Sequence, residues 1–151
     1  MSLSIHSDDH FMKEALKQAE YAFEEGEVPV GAVVVCQHTI ISRAYNQVEK
    51  LQDVTAHAEM LAITAAQDYL GAKYLRNCTL YVTLEPCTMC AGAIYWSQLD
   101  KVVFGAADAQ KGFLRLKPNV LLARTKVVPG LEAETCGSLM NRFFNKVRRN
   151  N

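Results

Sequence analysis

The sequence lacks an excess of charge, a long apolar run and an even set of cysteines, and each absence excludes a class of protein. Sixteen Lys and Arg residues balance sixteen Asp and Glu, so the net charge is zero. A surface that is basic all over, as in a general nucleic-acid coat, is excluded, although a local basic patch is compatible with the balance. There is no apolar leader segment and no stretch long enough to span a bilayer. The five cysteines are odd in number, and with two of them assigned to a metal below they form no disulfide framework. These absences together predict a reducing, cytoplasmic setting. Tryptophan is nearly absent too. The single one, Trp96, suits a core or an interface better than catalysis. At 151 residues, half of them apolar, the chain can bury one real core but not two, so a single domain over 1–151 is expected.

Against this ordinary background two stretches stand out: Thr55-Ala56-His57-Ala58-Glu59 and, twenty-seven residues beyond Glu59, Pro86-Cys87-Thr88-Met89-Cys90. Together they supply one imidazole, two thiols three residues apart and one further carboxylate, the donors of a catalytic zinc site with an open fourth position. Cysteines at i and i+3 share one side of a helical turn. Pro86 suits a helix opening, where a missing N–H costs nothing, and the helix dipole favours thiolates there. His57 and Glu59 diverge on a regular helix, so both reach one cavity only if His57 lies in the first turn or cap, with Thr55 as the N-cap. Three ligands leave a position for water, whose pKa zinc lowers from about 15.7 toward about 7. Glu59, left free, can take that water's proton and deliver it to substrate. Read singly, the histidine is a cap and the CxxC a redox pair or half of a structural zinc site. A closed site would need Cys36, Cys78, Cys136, His6, His10 or His38, and none pairs with another donor at ligand spacing.

The chain around these motifs reads as alternating helices and strands. Met1 to Ser7 has no pattern and reads as a mobile end. A helix capped by Ser7 or Asp8 runs to about Glu25, with Met12, Ala15, Leu16, Ala19, Ala22 and Phe23 on its apolar face and Gly26 as terminator. Pro29 to Cys36 and Thr39 to Tyr45 form a hairpin, and Gln47 to Asp53 a polar loop. A helix follows from Ala56 to about Tyr69, a strand over Leu80 to Leu84, and a helix from Cys87 to about Trp96 whose Ala91, Gly92 and Ala93 permit close packing. Strands over Lys101 to Phe104 and Lys126 to Val128 and a helix over Glu132 to Arg149 complete an α/β domain. A helical crossover between late strands implies parallel pairing. The final helix carries Arg142, Phe143, Phe144, Lys146, Arg148 and Arg149. These suit stacking on splayed bases and contact with phosphates, but equally a packed aromatic anchor and a dipole-complementing basic end.

His-Ala-Glu followed by Pro-Cys-x-x-Cys resembles the signature of the zinc-dependent cytidine and purine deaminases, which act on a base taken out of the stack. Gly26 to Ala32, Tyr45-Asn46, Thr55 to Met60, Thr79 to Gly92 and Val102 to Ala106 extend the resemblance, within that superfamily, to the bacterial tRNA adenosine deaminases, over about Asp8 to Arg149. The resemblance implies a three-layer α/β/α cytidine-deaminase-like fold with a central mixed sheet of about five strands flanked by helices. It implies one Zn2+ per subunit on His57, Cys87 and Cys90, catalysis by Glu59, and a homodimer sharing an RNA cleft. The substrate it implies is the wobble adenosine of a tRNA anticodon stem-loop, converted to inosine. It also assigns Asn46, which alone would read as a turn residue, to the base pocket with backbone near Ala58, Leu84 and Glu85, and it favours RNA contact for the Phe143–Arg149 end. The segment Gly112 to Ala123 departs from that pattern. It is unusually apolar for a loop, with Phe113, Leu114, Leu116, Leu121 and Leu122, and is expected to pack on a partner subunit or roof the site. That departure leaves a free-base deaminase acting on guanine or cytosine as the alternative. A non-catalytic RNA-binding partner would have no use for Glu59, and a structural zinc protein would lack a fourth ligand.

Overall fold

A computed structural model describes residues 6–150. Helix α1 (Asp8–Glu24) begins at Ser7, whose side chain accepts a hydrogen bond from the His10 N–H at 3.1 Å. Its apolar stripe is buried at Met12, Ala15, Leu16, Ala19 and Ala22, with Phe11 added and Phe23 only partly covered, and Gly26 follows the helix in the left-handed region (φ +77°). Ser7 is thus an ordered cap, while residues 1–5 of the expected mobile end lie outside the described residues.

Strands β1 (Gly31–Cys36) and β2 (Thr39–Tyr45) form the expected hairpin. Gln37 and His38 turn it with both φ angles positive, the twist that a two-residue hairpin loop requires. The segment expected as a polar loop contains a short helix, α2 (Val48–Leu51). Helix α3 (Ala58–Leu70) starts two residues later than the pattern suggested, with His57 as N-cap. Thr55 does not cap it: its N–H and hydroxyl both donate to Asp53 Oδ1 at 2.8 Å, closing a tight turn ahead of the helix. Strand β3 (Cys78–Leu84), helix α4 (Thr88–Ser97) and strand β4 (Lys101–Ala106) follow, then β5 (Lys126–Val128) and α5 (Ala133–Arg149).

The sheet order is β2-β1-β3-β4-β5. β1 is antiparallel to both neighbours, while β3, β4 and β5 run parallel, as a crossover through α4 dictates. Side chains alternate across the sheet. Val33, Val35, Tyr81 and Val103 face α1 and α5, whereas Ala32, Val34, Leu80, Val82, Val102 and Phe104 face α3 and α4. This is the three-layer mixed α/β arrangement expected. Gly31 lets α1 lie close, since a Cβ there would fall 2.1 Å from the Ala15 carbonyl oxygen.

Two expectations about apolar residues are narrowed. Segment 112–123 does not roof the cleft described below. Phe113, in a 3-10 turn over Phe113–Arg115, is buried against Phe104 with ring centroids 6.2 Å apart, and Leu121 enters the same core. Phe113 and Leu121 thus close this chain's own core beside β4, while Leu114 stays exposed. Trp96, expected in a core or an interface, is 75% exposed, which excludes the core. In α4, Ala91 packs on the sheet while Gly92 meets nothing within 4 Å.

Candidate active site

Two helix starts converge on one point. His57 caps α3 with extended backbone (φ −73°, ψ 152°), and Cys87 caps α4 likewise (φ −75°, ψ 176°). The cap conformation is how His57 and Glu59, two apart, face one cavity: the histidine lies outside the regular helix and the glutamate inside it. Pro86 stands just before the cap rather than in the first turn.

His57 Nδ1 lies 3.6 Å from Cys87 Sγ and 3.5 Å from Cys90 Sγ, and the three donor atoms are all within 4.8 Å of one another. An ion about 2.3 Å from sulfur and about 2.0–2.1 Å from nitrogen in a tetrahedron separates N from S by about 3.6 Å. The spacing therefore fits a metal, and these residues could hold one. Without it the thiols divide the proton between them. The Cys90 thiol, with the His57 ring, outweighs burial and holds Cys87 down at about 3. Cys90 is pushed far up by the neighbouring Cys87 thiolate, by burial and by Glu59. His57 is raised, chiefly through its contact with Cys87. A divalent cation favours both thiolates at once.

Glu59 is 4% exposed. Burial pushes its carboxyl up to about 7 against the opposing pull of its own helix N-terminus and of His57. A carboxyl tuned near neutrality can both accept and return a proton. It lines a cleft of about 880 Å³ together with His57, Cys87, Asn46, Ala58, Leu84 and Glu85. The structure thus gathers the expected metal, acid–base and pocket residues in one place. Asn46 Nδ2 donates to the Val28 carbonyl at 3.3 Å, and its buried Oδ1 has no hydrogen-bond partner among the described residues.

Glu85 lines the cleft as expected of the backbone there, and its side chain has a separate task. Its Oε1 accepts from the Asp108 N–H and its Oε2 from the Leu114 N–H, both at 3.0 Å. Gly112 has no room for a side chain, as a Cβ would sit 2.0 Å from Oε2. Glu27, whose role the sequence reading missed, is buried and accepts from the Glu49 and Lys50 N–H groups at 3.0 and 2.7 Å, anchoring α2 beside the cleft. Its sequence signals were a carboxylate just before the apolar run Val28 to Val35 and its place in the resembling stretch Gly26 to Ala32. The Ala107–Lys111 loop was also missed as a cleft wall.

The C-terminal residues divide. Phe143 is buried against Phe23, with ring centroids 6.1 Å apart, while Phe144 is 41% exposed; both line the cleft. Lys146 lies with Arg142 over the Phe23 ring, and Arg148 pairs with Asn145. Lys146, Arg148 and Arg149 are outside the cleft lining.

Comparison with known proteins adds a second line of observation. Residues 5–106 match the cytidine and deoxycytidylate deaminase zinc-binding region. The tRNA-specific adenosine deaminase of Aquifex aeolicus (strain VF5) is 47% identical over 146 residues, covering 94% of this chain and 97% of that protein. The enzyme of the same name from Bacillus subtilis (strain 168) is 47% identical over 147 residues, 94% and 91% of the two chains. A structure solved in a study of A-to-I editing by tRNA:A34 deaminases at the wobble position of transfer RNA superimposes with a TM-score of 0.81. It is 40% identical and covers 86% of this chain and 98% of that one.

Proposed function

The chain belongs to the cytidine and deoxycytidylate deaminase family, and we propose from this that it hydrolytically deaminates adenosine to inosine in tRNA, at the wobble position of the anticodon loop, releasing ammonia. The observation that carries the reading is the buried Glu59 carboxyl in the same cleft as His57 and Cys87, whose donor atoms converge with that of the buried Cys90. The relatives named tRNA-specific adenosine deaminases supply the substrate class.

Zinc suits one imidazole and two thiolates in tetrahedral array, and when bound it supplies a water acidified to a pKa near about 7. His57, Cys87 and Cys90 would hold it, with the helix N-termini favouring the thiolate forms. Glu59 takes the proton of the attacking water and gives it to the ring nitrogen beside C6. It then passes a proton to the departing amine, which leaves as ammonia. Asn46 offers its unpartnered Oδ1 to a base N–H while its amide nitrogen is fixed by Val28. Phe144, exposed at the cleft edge, is the aromatic best placed to stack on a splayed base. Phe143 supports it from below, and Lys146, Arg148 and Arg149 meet phosphates farther along the anticodon stem-loop. We assign a homodimer, supported by the family resemblance and by the exposed Tyr95–Trp96 pair on α4. We also propose a cytoplasmic setting, which a tRNA substrate supports. Among the described residues no helix is long and apolar enough to cross a membrane.

The test is ammonia release from an anticodon stem-loop carrying the wobble adenosine, set beside guanine, cytosine and cytidine. Release from the stem-loop alone, abolished by Glu59→Ala, is the expected result. An inert stem-loop with turnover of a free base would keep the chemistry and overturn the substrate.

A further inference from the structure

Three of the five cysteines lie outside the proposed metal site. Cys136 is buried on the α1/α5 face of the sheet, in a different cluster from the other two. Cys36, the last residue of β1, and Cys78, the first of β3, stand directly opposite each other in the antiparallel ladder. Both side chains belong to the apolar cluster on the α3/α4 face, as they must, since directly paired residues in a sheet project to the same side.

The ladder alternation fixes how closely they approach. The Cys78 carbonyl accepts from the Asp100 N–H at 3.2 Å, on the β4 side. A strand residue's N–H and C=O point to the same edge, so Cys78 presents neither to β1. At the other end of the same ladder the Gly31 N–H points into β3, donating to Thr83 Oγ1 at 3.1 Å. Counting by twos along β1 puts Gly31, Val33 and Val35 toward β3 and Cys36 toward β2. Cys36 and Cys78 are therefore a non-hydrogen-bonded antiparallel pair, the kind with Cα atoms about 4.5 Å apart and the closer side chains. A disulfide accepts Cα separations of about 4.4–6.8 Å. No ladder hydrogen bond need break to form one.

We infer that Cys36 and Cys78 are a modification site, a dithiol that a peroxide converts to a cross-strand disulfide. Cys36 is half-buried and Cys78 buried, so the peroxide meets Cys36. The Cys36 sulfur attacks the peroxide O–O bond, giving a sulfenic acid and one water. Cys78 then displaces the hydroxyl, forming the S–S bond and a second water. Two thiols lose two protons and two electrons, and one hydrogen peroxide becomes two waters. Burial, with the Cys36 thiol beside it, pushes Cys78 up to about 12, so the second step is slow at neutral pH and the sulfenic acid lives long enough to be trapped. The bond closes a loop that contains α2 and α3, with His57 and Glu59 on it, and ties the hairpin to the centre of the sheet.

The experiment treats zinc-loaded protein with hydrogen peroxide and follows intact mass, zinc content and thiol count under denaturing conditions. The expected result is loss of two hydrogens with zinc retained, reversal by dithiothreitol, and a rise in Tm of about 5–10 °C in the oxidised form. Cys36→Ser, at a half-exposed site where folding tolerates it, and Cys78→Ser each abolish the mass loss, whereas Cys136→Ser leaves it. Wild-type protein that only gains oxygen, or a loss of two hydrogens that persists in Cys36→Ser, overturns the proposal.

Discussion

Three buried glutamates border the same cleft, and their partners separate their work. Glu27 and Glu85 each engage both carboxylate oxygens with backbone N–H groups of another segment. Glu59 instead faces the His57 and Cys90 side chains, which leaves it to move protons. Glu59→Gln keeps the size and removes the titration, so zinc per protomer should be unchanged while ammonia release falls by about 10²-fold or more. His57→Ala or Cys87→Ala should act on the other term. Each removes one donor of a group whose atoms converge within 4.8 Å, and zinc per protomer, measured by metal analysis, should drop before activity is considered.

At the scale of elements, the end of β3 and the loop after β4 are stitched together. Besides the two Glu85 contacts, the Phe113 N–H donates to the Pro86 carbonyl at 2.9 Å, and Cys87 bridges Gly112. The loop that lines the cleft is therefore set by the strand that delivers Cys87. Glu85→Gln places an NH2 where one of the two N–H donors expects an acceptor. We expect KM for the stem-loop to rise several-fold, with zinc content kept and a smaller change in kcat; steady-state kinetics separate the two. Phe113→Ala opens the Phe104 contact in the core and should cost about 3–5 kcal/mol, read by denaturant unfolding.

At the scale of the whole molecule, α1 is pinned across the sheet by Asp8. Its carboxylate accepts from Tyr81 Oη at 2.6 Å and from Lys101 Nζ at 2.9 Å, joining α1 to β3 and β4. Burial alone would raise the Asp8 pKa, but Tyr81 and Lys101 outweigh it and the net shift is downward from 3.8. A carboxyl depressed by folding contributes stability above its unfolded value, and that contribution is lost as pH falls through the lower folded value. Asp8→Asn should lose about 1 kcal/mol or less at neutral pH, since the side chain is 37% exposed and water screens the pair. The deficit relative to wild type should shrink to nothing in acid below the folded pKa. Thermal unfolding of both proteins across pH 2–7 measures it.

What the sequence determined by itself was the donor set and the layer pattern. Both are local: His-x-Glu and Cys-x-x-Cys are spacings along the chain, the α1 stripe is a periodicity of 3.6, and β1 is a short continuous apolar run. Tertiary structure decided the rest, because it depends on which segments meet. The cap position of His57, and so its ability to share a cavity with Glu59, depended on the Asp53 turn removing Thr55 from the cap. Segment 112–123 read as a roof or a partner contact because apolar residues in a loop do not say which core they fill; Phe104 and Glu85, from β4 and the end of β3, draw Phe113 and the Leu114 N–H inward and exclude the roof. The tasks of the Glu27 and Glu85 side chains were not legible, since their partners are backbone amides twenty or more residues away. Spacing along the chain carries ligand chemistry, whereas a buried carboxylate's task is set by the amides that folding brings to it.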